Sequence, residues 1–236
     1  MSRTVELTTV DGPMDCFEAR PAEPARRAII VVQEAFGVNP YIQGVTQRFA
    51  DAGFDAVAPY FFHRAGGGTA PYDDFAQVLP LDEGLTDDGI LIDLDAAFAH
   101  LSSLGHEPAA VGVVGFCFGG RVTFLAAARR AFGAAVGFYG GGLVTPRFPQ
   151  FPALVGEATT LQTPWLGLFG DEDASIPVED VETLRAALAA APVPTEVVRY
   201  PGAEHGFFCD ERPSYNGEAS ADAWIRTLDW FDRHLP

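Results

Sequence analysis

The amino-acid sequence predicts an α/β fold with a mostly parallel central sheet, helices on both faces of that sheet and a small N-terminal hairpin. Two observations support this fold class. Apolar runs typical of buried strands alternate with helical patterns through nearly all of the 236 residues, which is the order of consecutive βαβ units. The sequence also lacks internal repeats and long linkers, so we expect a single domain spanning residues 1–236.

The N-terminal hairpin is predicted by the turn signal Asp11-Gly12-Pro13, which separates two strand-like segments at 5–8 and 14–18. The next segment, Ala28-Ile29-Ile30-Val31-Val32, is a continuous apolar run of the kind that a parallel sheet buries on both faces. Similar runs predict five more strands, at 54–58, 110–114, 134–139, 165–169 and 196–200. Helical patterns, several with apolar residues three and four positions apart, predict helices at 42–53, 87–104, 118–132, 177–191 and 219–235.

Residues 60–86 show no clear periodicity and contain Gly66-Gly67-Gly68 together with Pro71 and Pro80. This composition predicts a long surface excursion. Long loops on a rigid scaffold often carry function, so we expect a lid or a substrate loop here.

The charged residues exclude several classes of function. All 15 basic residues are Arg, against 32 acidic residues, which gives a net charge of −17. Without a Lys the protein lacks the Schiff-base residue of pyridoxal-phosphate enzymes and the lysine of a Walker-type phosphate loop. The acidic balance also argues against nucleic acid or an anionic membrane surface as a partner, because both require a basic face.

The N-terminal residues lack the features of a secretory signal, and the longest apolar runs are shorter than the roughly 18 residues of a membrane span. Three cysteines, Cys16, Cys117 and Cys209, are too few for a disulfide framework. We therefore expect free thiols and a cytoplasmic location.

The stretch Gly115-Phe116-Cys117-Phe118-Gly119 follows a predicted strand and precedes a predicted helix. Its G-x-C-x-G pattern is that of a nucleophile elbow, in which small residues on each side let the strand and the helix approach closely. The helix N-terminus favours a thiolate, and the backbone N–H of Phe118 is predicted to donate into an oxyanion hole.

Two other interpretations of this stretch are a buried structural cysteine and a dinucleotide-binding fingerprint. The second is disfavoured because the glycines do not follow G-x-G-x-x-G. The fingerprint also requires an acidic residue about 20 positions further on, whereas 121–156 contains neither Asp nor Glu.

A nucleophile elbow predicts an acid and then a histidine further along the chain, each just after a strand. An acidic cluster, Asp171-Glu172-Asp173, follows the strand predicted at 165–169, and the spacing leaves all three residues as candidates. His205 follows the strand predicted at 196–200. The histidines show no metal-binding spacing such as H-E-x-x-H, so we expect no metal and no cofactor.

Taken together, these residues resemble the dienelactone hydrolase (carboxymethylenebutenolidase) family of the α/β-hydrolase superfamily. The resemblance covers almost the whole chain and is carried by four segments. These segments are Gln33 to Asn39, the cysteine elbow, the acid loop Gly170-x-x-Asp173-x-x-Ile176-Pro177, and His205-Gly206-Phe207.

The resemblance implies an α/β-hydrolase fold and selects Asp173 as the acid of a Cys117–Asp173–His205 triad. It also implies that Glu34 hydrogen-bonds the resting thiol of Cys117 and moves when substrate binds. The resemblance further implies that the backbone N–H of Ala35 is the second hydrogen-bond donor of the oxyanion hole, beside that of Phe118. The expected activity is hydrolysis of a small lactone or ester through a thioester, by a monomer or weak homo-oligomer.

The chain departs from the family in the arginines expected to bind a substrate carboxylate. Arg64 is the only basic residue between Arg48 and Arg121, and Cys209 stands where an Arg is expected after His205, with Arg212 next. We take Arg64, Arg212 and Cys209 as candidate substrate-binding residues. A broader esterase or thioesterase acting on neutral acyl substrates, and a catalytically silent ligand-binding protein, remain as alternatives.

Overall fold

The computed structural model describes residues 1–82 and 84–236, and these contain eight β-strands and five α-helices. The strands are β1 Ser2–Thr9, β2 Gly12–Ala19, β3 Ala28–Val32, β4 Asp55–Pro59, β5 Val111–Phe116, β6 Ala134–Phe138, β7 Trp165–Gly170 and β8 Thr195–Tyr200. The helices are α1 Pro40–Asp51, α2 Asp87–Ser103, α3 Phe118–Arg129, α4 Val178–Leu188 and α5 Gly217–His234. Each predicted strand and helix is present, with ends that differ by a few residues.

All eight strands join in one sheet in the order β1-β2-β4-β3-β5-β6-β7-β8. Strands β3 to β8 run parallel to one another, whereas β1 and β2 form an antiparallel hairpin. The predicted hairpin is confirmed, and β2 also pairs with β4 in antiparallel orientation. The hairpin therefore extends the main sheet at one edge.

The central strands β3, β5, β6 and β7 are buried along their whole length, because helices cover both faces of the sheet. Helices α1 and α5 pack together where the ring of Phe49 lies 4.8 Å from that of Trp224. Helices α2 and α3 are joined by a buried ion pair in which Arg121 Nη1 lies 2.6 Å from Asp87 Oδ1. None of the helices in the described ranges combines the length and apolar character that a bilayer crossing requires.

Helix α3 ends three residues earlier than the sequence pattern predicts. Arg130 is in an extended conformation, and its carbonyl accepts a hydrogen bond from the hydroxyl of Thr163. The same Thr163 oxygen accepts the N–H of Phe132 at 2.8 Å. These contacts draw the chain out of the helix and towards β6.

The described part of 60–86 forms two short 3₁₀ turns and otherwise irregular backbone. Most of this loop lies at the surface, as predicted, but several of its apolar side chains are buried against the body of the protein. These side chains are Phe61, Phe62, Ala70, Val78 and Leu85. Glu83 lies outside the described residues.

Candidate active site

Four of the predicted site residues lie beyond the carboxyl ends of parallel strands, at one edge of the sheet. Glu34 follows β3, Cys117 follows β5, Asp173 follows β7 and His205 follows β8. Open α/β sheets bind ligands at this edge. The alternation of strands and helices therefore brings together residues that are up to 171 positions apart in the chain.

Cys117 lies on a sharp turn between β5 and α3, with φ 54° and ψ −114°. A non-glycine residue rarely adopts a positive φ, so the turn stores backbone strain. The close approach of strand and helix depends on glycine: a Cβ atom on Gly115 would overlap the carbonyl of Gly119. A Cβ on Gly119 would lie 2.5 Å from the carbonyl oxygen of Val32. The geometry is that of a nucleophile elbow.

His205 donates a hydrogen bond from Nδ1 to Asp173 Oδ2 over 2.6 Å. The other carboxylate oxygen of Asp173 accepts bonds from the hydroxyl of Ser175 at 2.6 Å and from its backbone N–H at 2.8 Å. Asp173 is buried, whereas its neighbour Asp171 forms an ion pair with Arg199. The structure thus distinguishes Asp173 from the other acids of the cluster as the partner of His205.

The thiol of Cys117 and the imidazole of His205 stabilise each other's charged forms. Burial opposes ionisation of the thiol, but the charge of His205 and a side-chain hydrogen bond with it hold the Cys117 pKa below its ordinary value. Burial likewise opposes protonation of His205, and the charges and hydrogen bonds of Cys117 and Asp173 outweigh it and raise the His205 pKa. The two shifts have opposite signs, so each of these groups favours the charged form of the other.

The carboxylate of Glu34 is completely buried. Its Oε2 accepts a hydrogen bond from the hydroxyl of Tyr72 at 2.8 Å, and its Oε1 lies 3.5 Å from Arg212 Nη1. Burial raises the pKa of Glu34, although Arg212 and Tyr72 oppose the shift. The family resemblance implies a bond from Glu34 to the resting thiol, but the contacts found for this carboxylate in the described residues run to Tyr72 and Arg212 instead.

The three candidate substrate-binding residues lie in different places. Arg212 lines the cavity at Cys117. The prediction for Arg64 is wrong, because its guanidinium is held by Asp93 at 2.7 Å and by Asp11 at 2.7 Å, outside that cavity. The prediction for Cys209 also fails, because its side chain is buried and does not line the cavity.

A cavity of about 290 Å³ opens above Cys117, with Ala35, Phe118 and His205 also in its wall. The backbone N–H groups of Ala35 and Phe118 have no acceptor among the hydrogen bonds found in the described residues. The rest of the wall is mainly aromatic and aliphatic. It includes Phe36, Phe62, Phe75, Val78, Leu85, Phe148 and Phe151.

Sequence reasoning missed the contribution of 140–151 to this cavity. Arg147, Phe148 and Phe151 line it, although these three residues belong to no recognisable motif. The available signal was the position of Gly140-Gly141-Gly142 directly after a buried strand end, on the functional edge of the sheet. The described ranges contain no cluster of three or more His, Cys, Asp or Glu side chains placed to hold a metal ion.

The sheet order, the elbow and the acid–histidine pair define an α/β-hydrolase. Residues 14–235 match the model of the dienelactone hydrolase family, and the chain belongs to that family. The family and its carboxymethylenebutenolidase relatives make the protein a hydrolase of carboxylic ester bonds in small molecules.

Individual relatives span nearly the same length. The protein is 40% identical over 230 residues to the "Putative carboxymethylenebutenolidase" of Escherichia coli (strain K12), covering 94% of this chain and 83% of that one. It is 32% identical over 211 residues to the carboxymethylenebutenolidase of Rhodococcus opacus, covering 88% and 81%. The crystal structure of a "Putative Dienelactone Hydrolase" from Klebsiella pneumoniae superposes with a TM-score of 0.92 at 36% identity, covering 99% and 98%.

Proposed function

We propose that the protein hydrolyses a small lactone or ester through a covalent thioester on Cys117, with His205 and Asp173 completing the triad. The observation that carries this proposal is the arrangement at the elbow: a cavity-lining thiol with a lowered pKa, adjacent to a histidine that Asp173 holds at 2.6 Å. A thiolate is the nucleophilic form of cysteine, and the lowered pKa of Cys117 favours that form.

In the first step, Sγ of the Cys117 thiolate attacks the substrate carbonyl carbon and forms a tetrahedral oxyanion. The free N–H groups of Ala35 and Phe118 donate to that oxyanion. The bond between carbon and the leaving oxygen then breaks, and His205 transfers its proton to that oxygen. The products of this step are a thioester and an alcohol, or the ring-opened hydroxyl or enol of a lactone.

In the second step, neutral His205 takes a proton from water, and the resulting hydroxide attacks the thioester carbonyl. The carbon–sulfur bond breaks, which releases the carboxylic acid and restores the thiolate beside protonated His205. The hydrogen bond from Nδ1 to Asp173 keeps the ring oriented and leaves Nε2 for these proton transfers.

The Glu34–Arg212 pair affects how readily the thiol of Cys117 ionises. The charge of Glu34 raises the Cys117 pKa and the charge of Arg212 lowers it, so the thiolate is most favoured when Arg212 compensates Glu34. Arg212 also lines the cavity at Cys117, so its guanidinium is a cation available to a substrate carboxylate. This position supports a carboxylate-bearing lactone as one substrate class.

The apolar cavity wall supports a second candidate, a broader carboxylesterase or thioesterase for neutral acyl groups. Phe62, Phe75, Val78 and Leu85 offer no hydrogen bond to a charged group, and Arg64 points elsewhere. A carboxylate left unpaired against such a wall is costly to desolvate. Neutral esters meet no such penalty.

A substrate panel tests the proposal. Dienelactone, p-nitrophenyl acetate and an acyl-thioester are compared by kcat/KM in wild type, Cys117→Ala and Cys117→Ser. We expect hydrolysis of at least one class by wild type and loss of nearly all of it in both variants. Full activity in Cys117→Ala would overturn the proposal, and the ratio of kcat/KM values across the panel separates the two candidate substrate classes.

We also propose that the enzyme works in the cytoplasm as a monomer or weak homo-oligomer, without nucleic acid or membrane partners. The free state of Cys16, Cys117 and Cys209 supports a reducing compartment. The net charge of −17 supports the absence of polyanionic partners.

A further inference from the structure

Ser175 lies between the acid and the histidine of the triad but takes no part in the proton transfers. It stands two residues after Asp173, in the loop between strand β7 and helix α4. Its side chain is half-buried and belongs to the wall of the cavity at Cys117. The acid-loop motif that carries the family resemblance does not specify this position. The contacts of Ser175 therefore have to show what it does.

Within the described residues, Ser175 supplies both hydrogen bonds on Oδ1 of Asp173. Its hydroxyl donates over 2.6 Å and its backbone N–H over 2.8 Å. Oδ2 remains for the bond from His205 Nδ1, which is also 2.6 Å long. The terminal torsion of an Asp side chain has broad minima, so rotamer preference alone does not fix the plane of the carboxylate. The two bonds from Ser175 fix that plane and direct Oδ2 at His205.

The same hydroxyl also contacts His205. Its oxygen lies 3.3 Å from Nδ1 while its proton is donated to Asp173. A lone pair of this oxygen therefore faces the Nδ1–H group that donates to Asp173. A half-turn of the imidazole ring would place a carbon atom there and lose both contacts. Ser175 thus favours the ring orientation that leaves Nε2 for proton transfer.

The backbone around Ser175 keeps its hydroxyl in this place. The N–H of Glu172 donates to the carbonyl of Ala203 over 2.9 Å, which joins the acid loop to the histidine loop. On the other side of Ser175, the N–H of Ile176 donates to the carbonyl of Asp173 over 3.1 Å. The side chain of Ile176 is buried in the core. The hydroxyl is therefore carried by a loop that is anchored on both sides.

The charge of the donor also matters, because Asp173 has to stabilise protonated His205. Burial raises the pKa of Asp173, but His205 and the hydrogen bonds from Ser175 outweigh it and hold that pKa below its ordinary value. A cationic donor would cancel the negative charge of the carboxylate, as Arg199 does for Asp171. A hydroxyl is neutral, so it orients the carboxylate and leaves its charge available to His205.

We infer that Ser175 is a positioning residue of the catalytic site, which acts through Asp173 to hold the imidazole of His205 with Nε2 towards the cavity. The inference rests on the proposed function, because it assigns a support to the Asp173–His205 pair of that mechanism. It extends the site by one residue that neither attacks the substrate nor transfers a proton.

A double-mutant cycle tests whether Ser175 acts through Asp173. We compare kcat and KM for p-nitrophenyl acetate in wild type, Ser175→Ala, Asp173→Ala and the double variant. Ser175→Ala should lower kcat about tenfold and leave KM within about twofold, because it loosens the catalytic geometry rather than substrate binding. In Asp173→Ala the hydroxyl has no carboxylate to hold, so adding Ser175→Ala should change kcat by less than about twofold. The residual catalysis expected from the oxyanion hole keeps these small rates measurable.

Ser103→Ala is the matched control, because it removes an exposed hydroxyl that donates to the carbonyl of His100. It should leave both kcat and KM unchanged. An equal loss of kcat from Ser175→Ala in both backgrounds would overturn the inference, since a general structural effect does not depend on Asp173. Wild-type kcat in Ser175→Ala would overturn it as well. Failure of the proposed function is seen separately, as full activity in Asp173→Ala or in Cys117→Ala.

Discussion

The buried carboxylate of Glu34 pairs with Arg212 across 3.5 Å, and Cys117 is influenced by both charges. Glu34 makes the thiol harder to ionise and Arg212 makes it easier, so the two charges shift the Cys117 pKa in opposite directions. The hydroxyl of Tyr72 donates a hydrogen bond to the other oxygen of Glu34 at 2.8 Å. This bond connects the 60–86 loop to the Glu34–Arg212 pair. The same loop forms part of the cavity wall through Phe75 and Val78.

Replacing Glu34 with Gln removes the negative charge that raises the Cys117 pKa. The substitution also frees the Arg212 charge, which lowers that pKa, so both effects have the same sign. We expect the pH midpoint of iodoacetamide alkylation at Cys117 to move to lower pH. Glu172→Gln, at an exposed acid of the neighbouring loop, is the control and should leave the midpoint unchanged. A midpoint that moves to higher pH in Glu34→Gln would show that the assigned sign is wrong.

Alkylation should also distinguish the three cysteines of the wild-type protein. Burial raises the pKa of Cys16, and burial raises that of Cys209 to about 11, whereas the Cys117 pKa is lowered and its side chain lines a cavity. Thiolate character and exposure control reactivity, so brief iodoacetamide treatment near neutral pH should modify Cys117 alone. Peptide mass spectrometry measures the three sites together. Comparable labelling of Cys16 or Cys209 in the folded protein would be incompatible with this site.

The acid loop offers a matched pair of variants. Asp173→Asn removes the charge that orients and stabilises protonated His205, and we expect kcat to fall by about 10⁴-fold. Asp171→Asn should keep nearly wild-type kcat, because Asp171 pairs with Arg199 near the surface and such pairs contribute about 0–1 kcal/mol to stability. The measurement is steady-state hydrolysis of p-nitrophenyl acetate. If the two variants lost activity equally, Asp173 would not be the specific partner of His205.

Stability depends on glycine at the elbow for a steric reason. In Gly119→Ala the new Cβ would lie 2.5 Å from the carbonyl oxygen of Val32, and overpacking of this kind typically destabilises by about 1–3 kcal/mol. A Cβ on Gly156 meets nothing within 4 Å, so Gly156→Ala serves as the matched control. Urea unfolding should show a lower midpoint for Gly119→Ala and a nearly unchanged one for Gly156→Ala. Equal midpoints would show that helix α3 and the end of strand β3 have room for a side chain here.

Much of the fold follows from local patterns in the sequence. Both ends of strand β3 are predicted correctly, at 28 and 32. The five apolar residues are flanked by polar Arg27 and Gln33, which mark where the buried strand begins and ends. The elbow at Cys117 is equally local. Gly115 and Gly119 stand two residues before and after the cysteine, where a side chain would clash with the neighbouring backbone. The rule that parallel strands end at one edge then places the acidic cluster 171–173 and His205 at the site, and the family resemblance selects Asp173 from that cluster.

The rest of the site depends on contacts between segments far apart in the chain, which periodicity does not encode. Tyr72 reaches Glu34 only because the 60–86 loop folds back over Phe36, where the two aromatic rings lie 4.7 Å apart. Arg64 was misplaced because nothing local shows that Asp93 and Asp11 neutralise it. Arg147 was missed because its approach to the cavity depends on the path of the chain after β6.

The covalent intermediate on Cys117 is the central claim, and rapid-quench mass spectrometry of the wild-type enzyme with p-nitrophenyl acetate measures it most directly. We expect an added acetyl mass on the peptide that contains Cys117, removed by hydroxylamine and absent in Cys117→Ala. An acetyl group found on a different residue, or Cys117→Ala hydrolysing the ester at the wild-type rate, would contradict the mechanism.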